Sequence, residues 1–359
     1  MEPPLVILLV GLLALGSSVR LATAGPAPGL RLEVVPHRVY AADDGVAPRW
    51  RFSAVAINSS HDTFTLRQVT TTLVGPSGRR SQVQAGSRIR GITQGQRTLP
   101  PDEVVVLELK DSGRDPLPAA ALLEWGFTGP QGKPVLLTKR VPLVPRPTLY
   151  LRFPLPGHWV AVNGREMMHS IGRQFAFDFI ALADLPLHES GSGRTFTCAD
   201  FSSYGQPLLS PAAGQVVACE GGRPDEVPTP GHASYGTQQP AGGWQVYLGN
   251  YLLLRLDGGE HLLLVHCRAG SLQVKVGNRV REAQPLAQVG NSGNTSGPHL
   301  HIELLDTRPN LSQMAELELR ASGVPFGFKQ VRCERKGGRP AQGDLVPRGS
   351  NIVTALADR

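Results

Sequence analysis

Ser296-Gly-Pro-His-Leu-His-Ile-Glu303 is the stretch on which the reading of this chain turns. Gly297 and Pro298 end a turn, so the histidines that follow sit at the entrance of a strand, near solvent. Residues i and i+2 of a strand point to the same face. His299 and His301 therefore lean into one site, where one imidazole can bind a metal ion while the other handles a proton. A His-x-His pair alone is weak evidence, because a strand can carry such a pair by chance.

Two other stretches raise its standing. In Phe175-Ala-Phe-Asp-Phe-Ile180 the aromatic residues alternate, which sends them to a core and Asp178 to the opposite face. A carboxylate in an apolar strand is costly unless it is paired or metal-bound, so Asp178 reads as a metal ligand, a turn cap or a partner of an arginine. His169 lies nine positions upstream across Gly172, close enough for a loop to fold it back. His266 ends the run Leu262-Leu-Leu-Val-His266. A lone histidine on an apolar strand is often structural. Two histidines and one aspartate, however, make a three-ligand zinc site with a position open for water, and two histidines remain for acid–base work.

At this point the chain resembles a known family. Ser296–Glu303 is similar to the (S/T)GPHLHFE signature of the LytM/lysostaphin-type zinc endopeptidases, which cut peptidoglycan and carry a β-rich duplicated hybrid motif. The run from Val276 to Gly293 and the run from Tyr204 to Val216 resemble two further family stretches in the right order, so the likeness covers about 155–307. By position, the resemblance implies that His169, Asp178 and His301 are the ligands of Zn2+, and that His266 and His299 are the catalytic pair. The family's short His-x3-Asp spacing is here His169-x8-Asp178, as in a branch for which Gly172-Arg-Gln-Phe-Ala-Phe-Asp178 is a match. His158 stands as the substitute for His169. Ala283 replaces a common turn glycine. The resemblance implies peptidoglycan peptides as substrate, in the stem or the cross-bridge.

Outward from this core, the chain of 359 residues divides into four segments. Residues 1–24 read as a signal peptide, with the apolar run Leu5–Leu15 and Ala22-Thr23-Ala24 before Gly25; an uncleaved anchor is the alternative. Residues 25–148 carry short alternating runs, such as Trp50–Ala56 and Val135–Val141, that predict an immunoglobulin-like β-sandwich. Pro145-Arg-Pro147 reads as a stiff junction. Residues 149–330 form the peptidase domain, with strands expected at 174–181, 214–219, 251–256, 261–266, 272–276 and 299–304 and a helix near 313–321. Residues 331–359 read as an extended C-terminal extension. The 41 glycines and 31 prolines fit the mostly β fold class that these runs predict.

Export is the expected location, in the periplasm or the extracellular cell wall. No later run is long and apolar enough for a stable membrane span. Four cysteines, Cys198, Cys219, Cys267 and Cys333, favour disulfides in an exported chain, with Cys198–Cys219 the expected pair. A formal charge of +7 suits contact with an anionic envelope or serves solubility alone. Scattered Lys and Arg exclude a nucleic-acid groove. The N-terminal domain could engage an envelope protein or the wall itself. Against the enzyme stand a catalytically silent LytM-like activator or wall-binding protein, and a carrier barrel, for which Lys275 lacks the hairpin tip such domains need.

Overall fold

The computed structural model describes residues 29–44, 46, 48–86, 89, 97–111, 115–163, 174–189, 195–230, 245–311, 321–335 and 338–356. The signal-peptide segment, His169 and nearly all of the expected helix near 313–321 lie outside them. The chain separates into two compact units at Arg146/Pro147.

Among the described residues of the first unit, nine strands run as β1 (Leu30–Val35), β2 (Val39–Ala42), β3 (Arg51–Asn58), β4 (Phe64–Gly75), β5 (Gly78–Ala85), β6 (Thr98–Leu99), β7 (Val104–Lys110), β8 (Ala120–Thr128) and β9 (Pro134–Arg146). They make a sheet of order β1-β3-β7 and a second of order β2-β9-β8-β4-β5, with β6 paired to β4. Alternation explains the arrangement: Leu66, Trp125 and Phe127 of one sheet and Phe52, Ala54 and Leu107 of the other share a single buried cluster. Pro145 and Arg146, read as a junction, finish β9, which pairs in parallel with β2. His37 and His61 are both exposed.

The second unit holds β10 (Leu149–Arg152), β11 (His158–Asn163), β12 (Phe177–Ala181), β13 (Pro207–Leu209), β14 (Gly214–Glu220), β15 (Asn250–Leu256), β16 (His261–Cys267), β17 (Arg279–Val280), β18 (Pro285–Gln288), β19 (Leu300–Leu305), β20 (Phe326–Glu334), β21 (Ala341–Leu345) and β22 (Ile352–Ala355). Eleven of these form one sheet of order β10-β20-β22-β11-β12-β19-β16-β15-β14-β17, with β21 on β20; β13 pairs with β18 outside it. No helix among the described residues is long and apolar enough to cross a membrane. Residues 272–276 form no strand. Gln273 N–H still bonds Leu286 O at 2.8 Å, but Lys275 N–H turns to Asn278 Oδ1 at 3.0 Å and the chain leaves extended geometry.

Within 331–359, read as an extended C-terminal extension, the described residues add the end of β20, β21 and β22 to this sheet. Ile352–Ala355 is inserted between β20 and β11 with antiparallel register to both. The signal is faint in sequence because Ala341-Gln-Gly-Asp-Leu345 and Ile352-Val-Thr-Ala355 are short and half polar.

What positions the centre of the sheet is an aromatic cluster. Phe177 and Phe179 of β12 stack at 5.7 Å, and Phe326 meets Phe177 edge-on at 5.1 Å. Phe153 meets both Phe179 and Phe328 edge-on at 5.1 Å. The aromatic residues of β12 thus fill one face, and Asp178 is left for the other. Phe328 is fully buried. Phe328→Ala is expected to cost about 3–5 kcal/mol through the cavity it leaves. For a unit of this size that lowers the melting temperature by roughly 6–20 °C, readable by thermal circular dichroism.

Candidate active site

Three neighbouring strands carry the site. The β12–β19 register sets Asp178 opposite His301, and the β19–β16 register sets His301 opposite Val265. Directly opposed residues of an antiparallel pair project to one face, so Asp178 and His301 meet side by side. His301 Nδ1 lies 2.8 Å from Asp178 Oδ1. His299 stands just before β19, bridged to Gly290, with Nε2 3.8 Å from the same oxygen.

His266 arrives differently. Strand β16 breaks direction at this residue, whose φ is 65°. The left-handed region is costly for a residue with a side chain and is met chiefly where surrounding structure enforces it. The turn puts the His266 ring 4.6 Å from that of His299 and 6.2 Å from that of His301, centre to centre. The segment 290–293 packs tightly here: a Cβ on Gly290 would strike the backbone of Arg268, and one on Gly293 the backbone of Gly249.

The ring nitrogens have assigned tasks. His266 Nδ1 donates to Ser292 O at 2.8 Å, and His299 Nδ1 donates to Gly297 O at 2.8 Å. A carbonyl only accepts, so each neutral ring carries its hydrogen on Nδ1 and a lone pair on Nε2. Burial first, then neighbouring His299 and His301, holds the His266 pKa well below its ordinary value. A neutral His266 accepts a proton at Nε2; donating one requires that it first be charged.

For His301, burial disfavours the charged form, but the hydrogen bond to Asp178 and the nearby Glu303 carboxylate outweigh it and lift the pKa to about 9. Glu303, 1% exposed, has Oε1 3.9 Å from His301 Nε2. The sequence reading gave it no role, although its spacing from His301 is the same i, i+2 step that linked His299 to His301.

His158, the substitute ligand, is excluded by register. Asn163 pairs with Asp178, so His158 lies five residues, roughly 16 Å, along β11. Its Nδ1 is 2.8 Å from Thr354 Oγ1. Among the described residues no three His, Cys, Asp or Glu side chains group as a metal cluster; the third implied ligand, His169, is not among them. The two that are described suit a zinc ion. Metal–ligand bonds of about 2.0–2.2 Å at tetrahedral angles separate two donor atoms by roughly 3.3 Å, a few tenths more than the present contact. With Nδ1 directed to a metal, Nε2–H of His301 faces Glu303, the carboxylate–histidine arrangement that orients such ligands.

In the metal-free protein at pH 7 a proton therefore holds Asp178 and His301 together, since the His301 pKa is above 7. Metal needs a neutral imidazole. Zinc binding at pH 7 is expected to release about one proton, and affinity to rise about tenfold per pH unit up to about 9. Calorimetry in two buffers of different ionisation enthalpy measures this; binding with no proton release would detach the pair from the metal.

All four cysteines are free thiols, so the expected Cys198–Cys219 bond is not formed. Cys198 lies in a 3-10 turn with Sγ directed to Glu226 O at 3.4 Å, while Cys219 lies on β14. Burial pushes the Cys267 thiol up to about 12, which leaves the cysteine beside His266 a poor nucleophile.

Residues 197–312 match the family model described as peptidase family M23. The matched stretch is similar to that family's domain. The match includes His266, His299 and His301, while Asp178 lies ahead of it. A curated relative, peptidoglycan DD-endopeptidase ShyA of Vibrio cholerae, is 30% identical over 91 residues, which are 25% of this chain and 21% of the relative. The aligned stretch thus spans about a fifth of that protein. Among solved structures, the catalytic domain of lysostaphin from Staphylococcus simulans is similar with TM-score 0.24 and 18% identity, over 46% of this chain and 86% of that one. A zinc-containing peptidase from Vibrio cholerae is similar with TM-score 0.27 and 13% identity, over 83% and 87%.

Proposed function

We propose that the second unit is a zinc-dependent endopeptidase that hydrolyses peptide bonds of bacterial peptidoglycan. The observation that carries this is the meeting of buried Asp178, His301 and His266 with part-buried His299, from β12, β19, the end of β16 and the turn before β19. Asp178 and His301, with His169, would hold the metal. Bound zinc supplies a water of lowered pKa and polarises the scissile carbonyl.

The remaining work belongs to the two histidines. His299 Nε2, on the Asp178 side, accepts the proton of the attacking water. His266 Nε2 offers a second acceptor beside it. Once charged, either ring can return that proton to the leaving amine. Two bases with their Nδ1–H groups tied to backbone carbonyls keep fixed orientation through both transfers. A peptidoglycan substrate also puts the protein at the cell envelope, in line with the signal-like Leu5–Leu15 run.

The test is incubation of the purified full chain with purified peptidoglycans of differing cross-bridge, with products read by mass spectrometry. Release of peptides with new amine and carboxyl ends is expected, lost with a chelator and regained with zinc. Protein that carries zinc yet cuts none of these substrates would overturn the proposal.

A further inference from the structure

The face of the sheet that carries His301 continues past the metal pair. Val265 is opposite His301, and Tyr251 is opposite Val265. Directly opposed residues project to one face, so Tyr251 and, two positions on, Leu253 point the same way as His301. Ala218 of β14, opposite Leu253, joins them. These three residues floor a hollow of about 470 Å3, and the segment Arg308–Leu311, just after β19, walls it. Leu253 is fully buried, and Pro309 and Leu311 are buried as well. A water molecule takes up about 30 Å3, so the hollow has room for a side chain of a ligand. Its size falls within the usual range of ligand pockets, about 300–1,000 Å3.

The rim of this apolar hollow is cationic. Arg308 is exposed, and one of its N–H groups donates to Val217 O at 3.1 Å. That bond holds the guanidinium at the rim and leaves most of its five donors open; Arg308 forms no ion pair among the described residues. Arg255, two positions beyond Leu253, lies on the same face, is exposed and is likewise without an ion pair among them. It stands opposite His261, a buried ring whose Nδ1 has no hydrogen-bond partner among the described residues. Burial first, then Arg255 and Arg308, holds the His261 pKa below its ordinary value, so both arginines bear on one ring. Asp306 and Glu260 act the other way, but neither is ion-paired with either arginine. An unpaired guanidinium above an apolar hollow suits a carboxylate, which it grips through two parallel N–H bonds. In the sheet β14 is three strands from β19. Arg308, tied to β14, thus stands roughly 14 Å across the sheet from His301, at about 4.8 Å per strand. An extended peptide covers that distance in about four residues.

We infer that this hollow is a subsite for an apolar side chain beside a free carboxylate, about four residues from the scissile bond, with the carboxylate held by Arg308. Arg255 adds positive field from the next turn of the pleat. The inference rests on the peptidase reading above and narrows it to stem peptides whose carboxylates are free, not amidated.

The test uses soluble cross-linked fragments of purified peptidoglycan in two sets, both with amines acetylated, one with its carboxylates free and one with them converted to amides. With the zinc-loaded full chain, the amidated set is expected to show a KM about tenfold higher at similar kcat, as for loss of one charged hydrogen bond. Arg308→Gln is expected to raise KM on the free set about tenfold and to leave the amidated set unchanged, so the two losses do not add. Arg308→Lys should recover part of the loss. Ala218→Phe, which fills the hollow and keeps both arginines, is expected to raise KM about tenfold on both sets. Calorimetry with metal-free wild type reads the same preference without turnover: the free set should bind about tenfold more tightly. Equal KM on the two sets, an Arg308→Gln effect of the same size on both, or no effect of Ala218→Phe overturns the inference. A wild type that cuts neither set counts against the proposed function, and the calorimetric preference, present or absent, then decides the subsite by itself.

Discussion

His301→Ala is expected to lose both zinc and hydrolysis. The side chain stands at the centre of the three-strand group, opposite Asp178 and beside Glu303. Zinc held by protein ligands gains about 10–16 kcal/mol in all. One ligand of three thus accounts for several kcal/mol, or at least about a hundredfold in affinity at 1.4 kcal/mol per tenfold. A chain that binds metal that much more weakly loses it during purification, and elemental analysis should find well under one zinc per chain. Activity falls with it, by about a thousandfold or more, because the water and the carbonyl both depend on the ion. The substitution also breaks a buried charged contact, a change that costs about 3–5 kcal/mol when one partner is removed. Melting curves of metal-free wild type and variant separate this loss of stability from the loss of metal. Full zinc occupancy in folded His301→Ala would remove His301 from the ligand set. A Glu303→Gln variant should weaken binding by a smaller factor, about 10–100-fold, as expected of a residue that orients a ligand.

The parts of this site that could be read in the sequence are those that a strand's period of two exposes. The i, i+2 spacing placed His299 and His301 on one face, and the alternation of Phe177 and Phe179 placed Asp178 away from the aromatic core. Both follow from backbone geometry alone. The same step reaches Glu303, but a glutamate in a strand carries no signal of its own, and its burial shows only once β12 and β16 flank β19. The inward turn of His266 was not readable, because a positive φ at a non-glycine residue is imposed by packing and not by local preference. Ala283 illustrates the converse. It replaces a common turn glycine and holds φ at 63°, so the backbone demand persists where the residue suited to it is gone. The hydrogen bond from the Asn291 amide to Glu226 O is further from view: the two residues are 65 positions apart, and no pattern along the chain links them. The C-terminal strands escaped for another reason. β22 is four residues long, and what fixes it is the pair of open edges on β11 and β20, which only the folded sheet creates.

His299→Ala separates metal binding from proton transfer. His299 Nε2 lies 3.8 Å from Asp178 Oδ1, but its ring is held from behind by Gly297 O and Thr295, outside the Asp178–His301 pair. Removing it leaves the closest contact of the site, between His301 and Asp178, intact, and zinc content should stay near that of wild type. What is lost is an oriented base next to the water, and positioned acid–base groups contribute typically about 10²–10⁴-fold. A drop of that size in kcat, with zinc retained, is the expected result. His266 does not fully replace it. Its ring sits 4.6 Å away on the end of β16, outside the 3.8 Å approach that His299 Nε2 makes to Asp178. The double variant His299→Ala/His266→Ala should therefore be less active still, but by less than the product of the two single losses, because the two rings serve one proton. Zinc lost from His299→Ala would make His299 a ligand. Activity retained within a few-fold would shift the base role to His266, the one other imidazole whose Nε2 lone pair is set by a backbone carbonyl in this group.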